Sequence, residues 1–505
     1  MGSASSKPAT ISRPTPSHHL SEKPRDVDEL SDACSDLTIS HGPTAPDGTL
    51  TACTINHWEA GIASNPKLQL GRTVLSRADL KQALQSRSAH IADQHVFNTE
   101  LDFKTGPITN QKSSGRCWLF ATTNVLRYNV MKKLKMKDFQ LSQAYLFFWD
   151  KLNKCNYYLE LAIENAELPV EDRLVSYLSD DLISDGGQWD MVVNLLEAYG
   201  VVPQAIYPES FSSSRSGPLN DLIKTKLREH GLVLRSLHKT LRAHTGAHSE
   251  LSDKAILETL RAKKETLMKD IYTIMSAAMG VIPSPDEKFV WDYYDKDEKP
   301  ARWEGTPKEF YQKVAVDKYS PADSFSIIND PRNEYGKLYT VDKLGNLWGA
   351  RPVLYVNTEI ENLKNAVVTM IKAGQPVFFG CDVGQFSDST LGIMDTALFD
   401  YENAFDITLG LSKADRLQVH ESSMTHAMVI SAVHLDPATG KPTRYKVENS
   451  WGEERGNKGY FVMTDQWFEE FVFQVVIPKA LAPKELVKVF ESGDCVVLPP
   501  WDPMV

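Results

Sequence analysis

A cysteine at the expected start of a helix is the residue in this sequence best placed to do chemistry. Cys117 follows a polar, glycine-containing segment, residues 112–116, and precedes an apolar, helically periodic run that opens with Trp118. Unpaired backbone N–H groups and the positive end of the helix dipole favour a thiolate at such a position. Residues 111–126 therefore predict a nucleophilic thiol at a helix N-terminus.

A nucleophilic thiol needs a base, and the base needs an orienting group. His426 begins one strand-like run, and Asn449 ends the next one. In an antiparallel hairpin the start of one strand lies beside the end of its neighbour, so these side chains can meet at one rim. The Asn oxygen can accept from one ring N–H and leave the other ring nitrogen facing the sulfur. Either residue alone would have an ordinary structural explanation.

Length and charge limit the classes of protein that this chain can be. A chain of 505 residues exceeds one usual hydrophobic core, so several domains or large insertions are expected. The net charge of −11 gives no global attraction to nucleic acid or anionic lipid. No apolar run reaches the roughly 18 residues of a membrane span. We therefore expect a globular protein with no stable membrane span.

The cysteines indicate a reduced protein without a structural metal. They are widely scattered, show no CxxC or zinc-site spacing, and follow no secretory signal. We therefore expect a cytoplasmic protein, no metal site and no cofactor. The cysteines are Cys34, Cys53, Cys117, Cys155, Cys381 and Cys495.

Residues 1–65 are rich in Ser, Thr, Pro and His, which predicts a disordered extension. Gly2 fits the N-myristoylation pattern, although an uninformative Met-Gly-Ser start is the simpler explanation. Glu22 is the first acidic residue, but Arg13 and Arg25 are few for an organellar presequence. These two signals would add a mitochondrial or a weakly lipid-anchored fraction to a cytoplasmic protein.

The remaining chain predicts an α+β protein whose helices come first and whose strands come last. We expect a helical half with the cysteine over residues 66–208, a mainly helical insertion over 209–350, a β-rich half over 351–490, and a C-terminal arm over 491–505. Gly186 and Gly187 indicate a tight loop before a helix. Lys263 and Lys264 lie on a basic helix, whose face is either simply solvated or a nucleic-acid patch.

Three motifs in this order resemble those of the papain-like cysteine peptidases. They read SGRCW around Cys117, THA at His426 and NSWG at Asn449. The resemblance implies a papain-like fold with a helical half and a β-barrel-like half. It also implies that Cys117 is the nucleophile, His426 the general base and acid, and Asn449 the orienting residue.

The resemblance implies further site residues. Gln111, six positions before the cysteine, resembles the family's oxyanion-hole glutamine, and Trp451 resembles the residue that shields the His–Asn bond from water. Trp118, Gly186 and Gly187 would line the substrate cleft, where missing side chains let a substrate backbone approach.

Two departures from the family pattern are informative. Secreted members carry a disulfide-bonded cysteine where this chain has Ser114, which agrees with a reduced compartment. His426 follows Cys117 by 426 − 117 = 309 residues, whereas about 130–150 is usual. Roughly 160 residues must then be insertion, and residues 222–279 are its natural part.

The likeness is strongest to an intracellular branch whose C-terminal arm lies in the cleft and makes the enzyme an aminopeptidase. It implies peptide substrates with a free N-terminus, the bleomycin amide and homocysteine thiolactone as further substrates, a homohexamer, and single-stranded DNA or RNA binding near Lys263 and Lys264. The specificity tail would end at Val505, a few residues earlier than is usual in that branch.

Two other functions stay open at this point. A transglutaminase-like enzyme would use a similar thiol for acyl transfer, but Asn449 in an NSWG context favours the peptidase. A nucleic-acid-binding scaffold on a papain-like fold predicts that a catalytic member is missing, and Cys117, His426 and Asn449 are all present.

Overall fold

A computed structural model of the chain describes residues 48–180, 182–245 and 252–504. The predictions for Gly2 and Val505 concern residues outside these ranges. The described residues form two units: those up to Gln85 together with Asp400–Arg416, and those of Ser86–Phe399 together with the ones from Leu417 onward. All predicted catalytic residues belong to the second unit.

Helices make up most of the chain as far as residue 279, and shorter ones follow among the strands. They are α1 Ala52–Ser64, α2 Pro66–Leu75, α3 Leu80–Ala83, α4 Arg87–Ala92, α5 Cys117–Leu134, α6 Gln143–Glu164, α7 Arg173–Asp180, α8 Trp189–Tyr199, α9 Phe211–Ser214, α10 Gly217–Thr245, α11 Asp253–Met279, α12 Pro307–Phe310, α13 Ile360–Lys372, α14 Tyr401–Phe405, α15 Lys413–Gln418, α16 Asp465–Phe471 and α17 Lys484–Glu491. A π-helical turn, Tyr311–Ala315, and a 3₁₀ turn, Pro321–Asp323, complete the helical elements.

Most strands lie in the second half of the chain and join one mixed sheet. They are β1 Thr99–Glu100, β2 Phe289–Tyr294, β3 Pro300–Gly305, β4 Ser324–Ile328, β5 Lys337–Val341, β6 Tyr355–Asn357, β7 Val377–Cys381, β8 Ser387–Asp388, β9 Ile393–Met394, β10 His426–Leu435, β11 Pro442–Glu448, β12 Tyr460–Thr464, β13 Val472–Pro478 and β14 Cys495–Leu498. The sheet order is β14-β5-β6-β4-β13-β7-β10-β11-β12-β9-β8, with β1 on β10 and with β2 and β3 as a separate hairpin.

Two apolar cores support this arrangement. One is built largely from α5, α6, α8 and the long helices α10 and α11, and the other lies within the strand-rich part. Helix α5 packs directly on strand β10, so the element that begins with the cysteine contacts the element that begins with the histidine. The α+β class that the sequence predicts is confirmed by this combination of helices and mixed sheet.

The predicted boundaries differ from the structure in two places. Residues 52–64, predicted as part of a disordered extension, form helix α1, whose N-terminus is capped by the Thr51 hydroxyl accepting from the Thr54 N–H at 3.1 Å. The Thr-, Pro- and Gly-rich composition just before Thr51 obscured this cap signal. The predicted insertion at 209–350 contains β4 and β5, which pair with β13 and β6 of the main sheet.

Among the described residues, we find no helix with both the length and the apolar character that a membrane crossing requires.

Candidate active site

Cys117 is the first residue of α5, and its helix terminus has no side-chain cap. Arg116 occupies the N-cap position with φ −87° and ψ 21°, and the first turn holds no acidic residue. The first backbone N–H groups of a helix have no partner within the helix. They are therefore available to an anion at the sulfur or at a carbonyl oxygen bound beside it.

The Cys117 thiol is half-buried and lies against the start of β10. Burial raises its pKa, and the backbone N–H groups of Ala427, Trp118 and Cys117 itself oppose that rise. Ala427 directly follows His426, so the fold brings the sulfur beside the histidine across 309 residues of sequence.

His426 and Asn449 form the second part of the site. The His426 Nε2 and the Asn449 Oδ1 lie 2.9 Å apart, and both residues are buried. Burial lowers the pKa of His426 to about 4, against the opposing effect of the Asn449 bond. With Nε2–H donating to Asn449, the Nδ1 atom is left to accept a proton from a thiol.

Strand register explains why these two side chains meet. β10 and β11 pair antiparallel, with Val429 opposite Glu448, so Asn449 leaves β11 at the end where His426 enters β10. The Asn449 Oδ1 also accepts from the Ser450 N–H at 2.8 Å, which fixes the amide orientation. The structure therefore brings His426 and Asn449 together at one rim of the sheet, as the sequence predicts.

Trp451 covers this pair from one side. Its ring centroid lies 4.9 Å from that of His426 at a tilt of 34°, and 5.9 Å from that of Phe461. An apolar ring in this position limits water access to the His–Asn bond, and a hydrogen bond is stronger where water is excluded.

Gln111 joins the cysteine side of the site to the asparagine side. Its Nε2 donates to the Ser114 carbonyl at 2.7 Å, and its Oε1 accepts from the Ser450 hydroxyl at 2.7 Å. One Nε2 hydrogen remains for a substrate oxygen. Ser450, which links Gln111 to the residue beside Asn449, was not singled out from the sequence, although it is the Ser of the NSWG motif.

The three residues predicted to line the cleft differ in how open they are in the structure. Trp118 is only 1% exposed and donates its Nε1–H to the Asp185 carbonyl at 2.7 Å, so its ring is enclosed by the protein. A Cβ on Gly187 would lie 2.7 Å from the Trp118 ring, so this glycine is required by packing. Gly186 is the more open position, with only the Ser184 hydroxyl oxygen near its would-be Cβ, at 3.3 Å.

The basic patch predicted at Lys263 and Lys264 is not a pair of exposed lysines. Lys263 is exposed, but Lys264 is buried and ion-paired with Glu160. Arg261 contacts the same Glu160 at 2.8 Å. Lys263 and Lys264 are adjacent on the helix and so point in different directions. The sequence does not show that Glu160 lies close enough to pair with Lys264.

No group of three or more His, Cys, Asp or Glu side chains around a common point occurs in residues 48–180, 182–245 and 252–504.

The thiol of Cys117 and the imidazole of His426 are the two groups of the site that can exchange a proton. Burial disfavours a lone thiolate on Cys117 and a lone imidazolium on His426. Proton transfer from the sulfur to the ring creates both charges together, and the attraction between them stabilises the pair. This arrangement is that of an activated-thiol hydrolase.

Comparisons with known proteins agree with this geometry. The model of the Peptidase C1-like family matches residues 49–505. Cysteine proteinase 1, mitochondrial, of Saccharomyces cerevisiae strain JAY291 is 43% identical over 455 residues, covering 89% of this chain and 91% of the yeast protein. Human bleomycin hydrolase is 41% identical over 451 residues, covering 88% and 95%.

A solved structure agrees as well. PepW from Lactobacillus rhamnosis HN001 superposes with a TM-score of 0.84 at 39% identity, covering 91% of this chain and 99% of PepW. The chain belongs to the Peptidase C1-like family and is a papain-like cysteine peptidase of the bleomycin hydrolase type.

Proposed function

We propose that this chain is an aminopeptidase in which Cys117, His426 and Asn449 carry out acyl transfer. The supporting observation is the 2.9 Å contact between His426 Nε2 and Asn449 Oδ1, together with the packing of α5, which begins with Cys117, on β10, which begins with His426. The first supports a tautomer with the proton on Nε2, and the second supports a thiol close to that histidine.

The reaction proceeds through a thioester. His426 takes the thiol proton, and the Cys117 thiolate attacks the peptide carbonyl carbon. The resulting oxyanion is bound by the Cys117 backbone N–H and by the free Nε2 hydrogen of Gln111. The imidazolium then protonates the leaving amine as the C–N bond breaks.

Hydrolysis of the thioester reverses these roles. His426 takes a proton from water, the hydroxide attacks the thioester carbon, and the Cys117 thiolate leaves with the C–S electron pair. The oxyanion forms again at the same donors. Asn449 holds the imidazole in one orientation through both steps, and Trp451 shields that bond.

The C-terminal segment supports restriction to N-terminal residues. Met504 is buried, and its carbonyl accepts from the Tyr355 hydroxyl at 3.1 Å. Asp502 holds the Met504 N–H at 2.9 Å and pairs with Arg332 at 3.0 Å. The segment is therefore anchored one and three residues before position 505. We propose that it limits the non-primed side of the cleft and recognises a free α-amino group.

The experiment that tests this proposal uses one peptide in two forms, with a free and with an acetylated N-terminus, digested and followed by mass spectrometry. Stepwise shortening of only the free form is expected. Asp502→Ala, which removes the bonds to the Met504 N–H and to Arg332 but keeps the Tyr355 bond, should begin to cleave the acetylated peptide internally. Asp494→Ala, which changes an exposed acidic residue of the same segment, should not. Internal cleavage of both forms by the unaltered chain would contradict the gating.

The same acyl-transfer chemistry extends to the bleomycin amide and to homocysteine thiolactone, whose carbonyls accept a thiolate in the same way. The name of the human relative supports the first of these substrates. Release of the free acid from each compound, lost in Cys117→Ala, is the expected result. A transglutaminase-like reaction would instead transfer the acyl group to an added amine even at low amine concentration.

Three other predictions remain to be tested. Analytical ultracentrifugation can test assembly into a hexamer. Cell fractionation can test where the protein is located, and the yeast relative is called mitochondrial. Nucleic-acid binding loses support because the Lys264 ammonium is already paired with Glu160. We do not include it in the proposed function.

A further inference from the structure

The side chain of Asp185 reaches the loop that carries the nucleophile. Its Oδ2 accepts from the Gly115 N–H at 3.1 Å, two residues before Cys117, and its backbone carbonyl accepts from the Trp118 Nε1 at 2.7 Å, one residue after it. A Cβ on Gly115 would lie 2.9 Å from the Asp185 Cβ, so the two backbones approach closely. Asp185 thus contacts the chain on both sides of the cysteine.

Three donors from other segments bind the same Asp185 carboxylate. Lys151 of α6 lies 2.7 Å from Oδ1, the Asn220 amide of α10 donates to Oδ1 at 2.8 Å, and the Ser216 hydroxyl donates to Oδ2. Lys151 is fully buried, and the Asp185 side chain is only 9% exposed. The helical segment after residue 209, an addition relative to the shorter papain-like pattern, therefore contributes directly to this contact.

The surroundings of this carboxylate favour its ionised form. Burial alone would raise the pKa of Asp185, but the charge of Lys151 and the hydrogen bonds from Lys151, Ser216 and Asn220 together hold that pKa well below its ordinary value. A charged acceptor forms stronger bonds to backbone N–H groups than a neutral one. The Gly115 N–H thus donates to an acceptor, the Asp185 carboxylate, whose ionised form is favoured.

The nucleophile loop has no covalent tie that could do this instead. Ser114 stands where secreted family members have a disulfide-bonded cysteine, and Cys117, Cys155 and Cys381 are free. We propose that Asp185 is a positioning residue that acts through Gly115 and Trp118 to hold the Cys117 backbone N–H in place for the oxyanion. This inference rests on the proposed function of Cys117.

Two reactions of the same thiol separate this role from general support of the fold. Alkylation by iodoacetamide requires the thiolate but forms no oxyanion, whereas acylation by a peptide amide requires both. Asp185→Asn keeps the shape of the side chain but removes its charge. It should lower the single-turnover acylation rate about 10- to 100-fold, a part of the effect of losing an oxyanion donor, and change the alkylation rate less than about 3-fold at the same pH.

Two further variants keep the test decisive. Ser216→Ala removes one donor but leaves the Lys151 pair and the Asn220 bond. It should lower acylation by about 3-fold in the same selective way, since the other donors still hold the carboxylate. Asp465→Asn is the matched control, because Asp465 pairs with the buried Lys364 at 2.7 Å and accepts from Tyr445 at 2.8 Å in the strand-rich part. It should lower thermal stability but keep the wild-type ratio of acylation to alkylation.

The outcomes separate the inference from the function on which it rests. Selective loss of acylation in Asp185→Asn and Ser216→Ala, with an unchanged ratio in Asp465→Asn, supports the positioning role. Equal losses in both reactions, or wild-type acylation by a folded Asp185→Asn, would overturn it while the peptidase activity stands. Absence of acylation by the unaltered chain would overturn the proposed function and this inference with it.

Discussion

Cys117 and His426 meet at one site, yet the two sides of that site are held in different ways. β10, which carries His426, lies between β7 and β11, and backbone hydrogen bonds run along both of its edges. The loop before Cys117 instead depends on side chains from distant segments, including Asp185 on Gly115 and Glu209 on Arg116 at 3.0 Å.

This difference predicts where the site is sensitive to substitution. Backbone ladder bonds do not depend on the identity of the side chains that the strand carries. A loop held by particular carboxylates, amides and hydroxyls loses its geometry when any of them is replaced. We therefore expect point substitutions around the site to affect catalysis more often on the cysteine side than on the histidine side.

The largest effect should come from removing the reacting group itself. Cys117→Ala should lower kcat/KM on the order of 10⁴-fold or more, because no nucleophile remains. Asn449→Ala should lose less, because strand pairing still places His426. Cys495→Ala, a half-buried cysteine outside the site, serves as the control in a peptide hydrolysis assay. Hydrolysis by Cys117→Ala at more than a trace of the wild-type rate would contradict the assignment.

The next largest effect tests the tie between the two sides. Arg127 of α5 and Glu448, the residue before Asn449, form a buried ion pair at 2.6 Å. Arg127→Met should lower the free energy of unfolding by about 3–5 kcal/mol, because it leaves a buried carboxylate unpaired, and adding Glu448→Leu should recover part of the loss. Denaturant unfolding measures both.

The control for that prediction lies on the same helix. Lys132 pairs with Asp102 at 3.1 Å, with both side chains well exposed. Lys132→Met should cost less than about 1 kcal/mol, because water already screens that pair. A double variant no more stable than Arg127→Met alone would show that the carbonyl bonds of Arg127, such as the one to Pro107 at 2.6 Å, matter more than its charge pair.

A third prediction concerns the residue that bridges the two sides. Gln111→Ala should lower kcat about 10²- to 10³-fold with little change in KM, because the lost donor acts mainly on the transition state. Ser450→Ala, which frees the Gln111 carbonyl oxygen, should show a smaller loss of the same kind. Gln385→Ala, whose exposed amide contacts the Glu421 carbonyl, should leave both constants unchanged. A rise in KM alone would point to substrate binding instead.

The smallest effect concerns the dependence of stability on pH. Burial raises the pKa of Asp190, at the start of α8, to about 6, although the charge of Arg351 opposes this. The unfolded chain ionises the same group near 3.8, so between pH 4 and 6 unfolding releases protons, and the folded state loses stability as the pH rises. The loss is about 2–3 kcal/mol.

Asp190→Asn should flatten this part of the stability profile, measured by denaturant unfolding at several pH values from 4 to 7. The amide keeps an acceptor for the Leu354 N–H, which Asp190 holds at 2.9 Å. An unchanged slope in the variant would assign the pH dependence to another group.

The sequence predicts the α+β class and the papain-like family, because strand periodicity and the motifs at Cys117, His426 and Asn449 are local signals. It does not predict the partners of Asp185 or Lys264, because these depend on which distant helices pack together. The sequence does not predict the burial of Trp118 either, because this burial depends on close packing against Gly187, which has no side chain. The roles of Gln111 and Trp451 stay predictions, supported by the bond to Ser450 and the ring over His426.

The separation of 309 residues between Cys117 and His426 has a consequence for the timing of biosynthesis. At about 5–20 residues per second a ribosome needs roughly 15–60 s to travel from the nucleophile codon to the base codon. During that interval the nascent chain carries the Cys117 thiol without the imidazole that we propose as its base. We therefore expect that it does not cleave its own unfolded segments or those of neighbouring chains. Slow alkylation of Cys117 in stalled chains that lack His426, against fast alkylation in the finished protein, would demonstrate this delay.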